Sequence, residues 1–213
     1  MLKKNGVTKM NKLVNLSIII FALVAFSITS NFAQVVPQNQ IKIEAISSGL
    51  ALVGSNSSNT TAGPYFGGTF AYGVGEGLTI FAESGYGWAN YDAVDKLKLV
   101  EIPVVAGLTY NFGQLFDLNL MQPYAGISAG AINTLLQFDG NTVKTNGYEQ
   151  KSTNFALEGI LGVNFQINPA FAINIRGKYN HGFSKNGDPG LDSQEFNSIS
   201  FGGGISYAFS VMR

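Results

Sequence analysis

His181 and Ser184 stand three residues apart in the stretch HGFSKNG, a base near a nucleophile. Activation of Ser184 would need His181 within reach and a third, orienting acid, for which Asp188 or Glu195 are the candidates. The plainer reading of His181 is a polar residue at the end of a strand. A second set carries more weight. Glu83, Glu101, Glu158, Arg176 and Lys178 are ionisable side chains set inside runs dominated by Phe, Ile, Leu and Val. Charges held away from water persist only when paired and hydrogen-bonded. Three acids and two bases could satisfy one another, with Lys42 and Glu44 as further candidates. Such a set would serve as a polar plug, or as a gate for ions.

Other chemistries are excluded early. The chain has no cysteine and one histidine, so thiolate and multi-histidine metal sites are not available. No metal and no cofactor is expected. Formal net charge is zero and only 12% of the 213 residues are charged, which leaves no electrostatic footprint for nucleic acid. Glycines in GGTFAYGVGEG and FGGGIS invite a phosphate-loop reading, but neither stretch opens a helix that would hold the anion. Asn59 begins a formal glycosylation triplet, NTT, read here as ordinary polar loop.

The elements that must position the charges follow from residue parity. In FALEGILGVNFQINPAFAINIRGKYNHGF, odd positions such as Phe155, Leu157, Leu161, Val163, Phe165, Phe171, Ile173 and Tyr179 are apolar. Even positions hold Glu158, Asn164, Asn174, Arg176 and Lys178. Alternation of this kind is a strand with two unlike faces. Leu78, Ile80, Tyr86 and Trp88 share one face opposite Glu83; Val100, Ile102, Val104, Leu108, Tyr110 and Phe112 share one opposite Glu101. Near the C-terminus Ile199, Phe201, Ile205, Tyr207 and Phe209 oppose serines and glycines. Strands near Phe66–Val74 and Gln122–Ile132 follow the rule more loosely. In the first strand, about Ile41–Val53, parity changes near Ser47–Gly49, which predicts a β-bulge.

This predicts eight strands whose connections alternate between long polar loops and tight turns. A soluble sandwich or lipocalin-like barrel would show the same alternation, but its polar face should be rich in Lys and Glu. Here that face is mostly Gly, Ser, Thr and Asn, suited to the crowded inside of a narrow barrel. Apolar-face aromatics gather near strand ends. Tyr86, Trp88, Phe155 and Tyr179 lie towards the long loops; Tyr72, Tyr110, Phe112, Phe165, Phe171, Tyr207 and Phe209 lie towards the short turns. Two aromatic girdles around an aliphatic band match the interfaces of a bilayer.

Residues 1–33 read as a signal peptide. Lys3, Lys4, Lys9 and Lys12 precede the apolar run LVNLSIIIFALVAF, and small and polar residues lead to Ala33 as the last position before cleavage. The run is short for a spanning helix and contains Asn15 and Ser17. Residues 34–213 form the barrel domain in this reading.

The stretches LVEIPVVAGLTYNF, QPYAGISAGA, NIRGKYNHGFS and GISYAF resemble the small outer-membrane β-barrels of Gram-negative bacteria, the porin-family or OmpA/OmpX-like barrel domains. The resemblance covers about Gln34 to Phe209. Gly204, Tyr207 and Phe209 resemble that family's terminal assembly signal, which usually ends the chain; here SVMR follows. The resemblance implies an all-β fold, an eight-stranded antiparallel up-and-down barrel with short periplasmic turns and longer extracellular loops. It also implies the cell outer membrane as location, outer-membrane lipid and the barrel-assembly machinery as partners, and an extracellular ligand at the loops of unknown identity. Eight strands leave room only for side chains inside. The expected function is therefore a structural or surface-interaction barrel with a plugged lumen, and not an enzyme. The alternatives are a narrow channel for ions or small solutes and, last, a lipid-modifying enzyme, although the His181–Ser184 spacing departs from the lipid-deacylase pattern. A tight turn at Asn168–Pro169 predicts that Glu158 pairs directly with Lys178, or with Arg176 in the neighbouring register.

Overall fold

The structure, a computed structural model, describes residues 39–54, 59–113, 120–145, 147–183 and 196–210, all within the compact unit Phe32–Arg213. Eight long strands carry these residues: β1 (Gln40–Val53), β2 (Gly63–Gly75), β3 (Leu78–Tyr91), β4 (Leu97–Asn111), β5 (Met121–Phe138), β6 (Lys151–Gln166), β7 (Phe171–Gly182) and β8 (Phe196–Ser210). Each pairs antiparallel with its neighbours in sequence, and β8 returns to β1 from Gln40↔Ser210 to Val53↔Asn197. The sheet closes on itself, so no edge is left unpaired.

Parity decides which side chains enter the lumen. Even positions of β1, β5, β6, β7 and β8 point in, as do odd positions of β2, β3 and β4. Outside, Leu161, Ile127, Phe201 and Ile205 are each more than 60% exposed, an apolar wall that no other part of the described residues covers.

Two sequence expectations are corrected here. β1 keeps one parity along its whole length, and its pairing with β2 and β8 runs without a shift, so there is no bulge at Ser47–Gly49. The apolar residues that suggested a change, Leu50 and Leu52, point into the lumen because its loop-side end is apolar. Leu52 packs there with Ala89, Leu99 and Phe196. The irregularity lies instead in β2 between Gly73 and Gly75, beside a turn where Gly75, Glu76 and Gly77 all take positive φ. The second correction concerns β6 and β7, whose register sets Glu158 opposite Asn180 and Lys178 opposite Ile160. The reason is the turn. Asn168 Oδ1 accepts from the backbone N–H of Ala170 and of Phe171, while the Ile167 N–H bonds to the Phe171 carbonyl. This Asx-type cap adds turn residues and slides the pairing two positions.

Between β5 and β6 the chain forms an ordered excursion. Asp139 and Gly140 turn at positive φ, Asn141–Thr142 pairs back onto β5, and a small hairpin joins Lys144–Thr145 to Tyr148–Glu149. Tyr148 is the most exposed large aromatic of the described residues, at 78%.

Candidate functional site

The lumen is built around Glu83. Its inward position on β3 brings four donors together: Lys178 Nζ at 2.6 Å, Arg176 Nη2 at 2.8 Å, Tyr65 Oη at 3.1 Å and Thr69 Oγ1 at 3.2 Å. Both oxygens are satisfied twice, which a buried carboxylate needs in order to remain charged. Arg176 extends the chain to Glu44 at 3.6 Å, and Lys42 meets Glu44 at 3.3 Å. Lys178 extends it the other way, to Glu158 at 3.6 Å, while Ser128 Oγ donates to Glu158 at 2.7 Å. A continuous series of ion pairs thus crosses the lumen from β1 to β6. All five charged residues singled out in the sequence are buried in the lumen, four of them in this series.

Glu101 stands apart from this series. It accepts from the Asn180 amide at 3.0 Å and has no basic side chain within ion-pair distance among the described residues.

Sequence reasoning missed the lumenal aromatics. The Tyr65 ring lies across Gly67, Gly85 and Gly87, where an added Cβ would sit within 3 Å of the tyrosine. Lys178 Nζ rests 5.1 Å from the centre of that ring. Tyr124 fills the space over Gly162 in the same way and packs with Ala71, Phe81 and Ile160. The signal was present: glycines at inward parity on β2 and β3 flank a single inward tyrosine. On the short-turn side, cavities of about 30 Å³ each remain beside Lys42 and Asn164, roughly the room one water needs. At the loop side the apolar group Leu52, Ala89, Leu99 and Phe196, with Tyr91 and Leu136 against it, covers the charges.

The outward aromatics fall near both strand ends. Tyr86 packs on Trp88 at 5.8 Å, and Lys98 Nζ lies 4.9 Å from the Trp88 ring. Tyr179 is outward and 46% exposed. At the other end Tyr110 meets Phe112 at 5.2 Å edge to face, and Phe171, Tyr207 and Phe209 form a row with ring spacings of 4.9 and 6.0 Å. Phe165 is outward in register with Ile173 and Met121. Phe70 and Phe201 are also outward but lie between the two ends, so the apolar belt is not purely aliphatic. Gly204 is inward, with an added Cβ 2.5 Å from the Ala45 carbonyl oxygen, so its lack of a side chain allows β1 and β8 to close.

His181 sits at the loop-side end of β7. Its Nδ1 lies 2.6 Å from Asn197 Oδ1, and its ring meets Phe183 edge-on. Ser184, Asp188 and Glu195 lie outside the described residues, as do residues 1–33, read above as a signal peptide, and residues 211–213.

The family comparison decides what this barrel is. The outer membrane protein beta-barrel domain matches residues 19–209. The chain belongs to that family. It is an outer-membrane β-barrel, with its apolar wall towards lipid and its ion pairs in the lumen. Among solved structures, Neisserial surface protein A is similar at 17% identity and TM-score 0.61, covering 79% of this chain and 97% of that one. Ail, the attachment invasion locus protein of Yersinia pestis, solved with the heparin analogue sucrose octasulfate, is similar at 12% identity and TM-score 0.50. That match covers 81% of this chain and 99% of Ail. At such identities the likeness is one of fold. No curated protein matches the chain by sequence.

Proposed function

We propose that this barrel is closed and acts as a structural or surface-interaction protein of the outer membrane rather than as a channel or an enzyme. The observation that carries the reading is the ion-pair series Lys42–Glu44–Arg176–Glu83–Lys178–Glu158 across the lumen. Every carboxylate in it is at most 4% exposed, and an apolar group covers it on the loop side. A conducting lumen needs a continuous water path past its charges. Here the charges take one another and the Tyr65 ring, and the cavities beside Lys42 and Asn164 have room for about one water each. The interaction surface in this reading is the loop end, above all the ordered excursion with Tyr148 at its tip. Contact with an extracellular ligand there would parallel Ail, whose structure holds a heparin analogue. Outer-membrane lipid and the assembly machinery are the other partners, through the apolar belt and through Gly204, Tyr207 and Phe209.

Planar-bilayer recording tests the reading. The purified wild type should be electrically silent. Steady unitary conductance, altered by Lys178→Ala, would favour the narrow channel instead.

A further inference from the structure

Among the described residues seven charged side chains enter the lumen: the carboxylates of Glu44, Glu83, Glu101 and Glu158 and the cations of Lys42, Arg176 and Lys178. Four acids against three bases leave one negative charge uncompensated. The geometry identifies which. Glu44, Glu83 and Glu158 each have a cation within 4 Å, whereas Glu101 has only neutral neighbours to donate to it, the Asn180 amide at 3.0 Å and the Ser198 hydroxyl. Glu101 is 1% exposed, so bulk water does not screen it.

The hydrogen-bond inventory shows the same shortage. Glu101 Oε2 and Asn180 Oδ1 are both buried acceptors without a donor. The Asn180 amide nitrogen is already shared between Glu101 Oε1 at 3.0 Å and Ser198 Oγ at 3.1 Å. The charged groups that act on Glu101 are Glu158 on β6 and Lys178 on β7. Lys178 is engaged by Glu83 at 2.6 Å and makes no ion pair with Glu101, while Glu158 adds a second negative charge to its surroundings. The flanking partners on β3 and β5, Gly87 and Thr134, carry none. Leu99, the next inward residue of β4, belongs to the apolar group at the loop end.

We infer that the lumen binds one proton at neutral pH, held on Glu101, so that this residue is a neutral carboxylic acid. A buried, unpaired carboxylate neutralises rather than bear the cost of its charge. The added O–H supplies a donor where the acceptors Glu101 Oε2 and Asn180 Oδ1 lack one, and it brings the lumen to three acids and three bases. The proton comes from water and returns to it, with no other bond changed. This inference is independent of whether the barrel conducts.

The test compares Glu101→Gln with Glu83→Gln and Glu158→Gln in the refolded, lipid-embedded full chain. Gln is the isostere of the neutral acid, so Glu101→Gln should refold and keep or raise its urea midpoint, while Glu83→Gln and Glu158→Gln should lower theirs. Infrared spectra of the wild type at neutral pH should show a protonated-carboxyl stretch that Glu101→Gln abolishes and Glu101→Asp only displaces. Absence of that band in the wild type, its persistence in Glu101→Gln, or failure of Glu101→Gln to refold where the wild type does would each overturn the inference.

Discussion

Lys178 is the point at which the lumenal series can be broken most cleanly. It bonds Glu83 at 2.6 Å and faces Glu158 at 3.6 Å. In Lys178→Met the stem volume is kept and the charge is lost. Glu83 retains Arg176, but Glu158 loses the only base within 4 Å of it among the described residues. Stranding a buried charge costs about 3–5 kcal/mol. Double-mutant cycles then apportion the loss. The Lys178–Glu83 and Arg176–Glu83 cycles should each couple by about 2–3 kcal/mol, the upper range for residues in one network. Lys178–Glu158 should couple by about 1 kcal/mol, since 3.6 Å is an ion pair without a hydrogen bond. Arg176–Glu158, linked only through Glu83 and Lys178, should couple least, at about 0.5 kcal/mol, the low end for residues of one network. Urea unfolding from lipid, followed by fluorescence of Trp88, the single tryptophan, supplies the four numbers. Arg176–Glu158 coupling equal to that of Lys178–Glu83 would refute the register set by the Asn168 turn. Additivity in every cycle would refute the network.

Other substitutions probe the wall, the seam, the turn and the start of the mature chain. Leu161→Arg, on the outward face at 69% exposure, should cost about 2–4 kcal/mol near the midplane of the bilayer, and Leu161→Val less than about 1. Equal losses in lipid refolding would mean the faces are assigned the wrong way round. Gly204→Val should lower the folded fraction sharply, because its Cβ would meet the Ala45 carbonyl at 2.5 Å; normal refolding yields would rule out that crowding. Asn168→Ala removes two hydrogen bonds to the turn and should cost about 1–3 kcal/mol in unfolding experiments at about 0.5–1.5 each. Edman sequencing of the membrane fraction should begin near Gln34, and an intact Met1 would contradict cleavage after Ala33.

The barrel was legible because its signal is repeated. Most of its eight runs alternate cleanly and state the same inside and outside, and the three looser ones do not change the sum. Glu158, Arg176 and Lys178 could be assigned to a common face because parity alone decides that question. Which of them touch is a matter of register and of neighbours across the lumen, and parity is silent there. The true partner of Arg176 is Glu83, 93 residues away on a strand that is not its neighbour. Register hung on one turn, where the Asn168 side chain bonds the two backbone N–H groups that follow and shifts the pairing by two. Leu50 and Leu52 misled for a related reason. A rule that the lumen is polar holds for the middle of this barrel and fails at its loop end, where apolar side chains pack together inside it. The same rule hid Tyr65, whose ring is as much a part of the plug as the charges. It occupies space that Gly67, Gly85 and Gly87 leave open, offers its hydroxyl to Glu83 and its face to Lys178. Glycine in these strands is therefore half of a steric pair, and its meaning is fixed only when the residue lying over it is known.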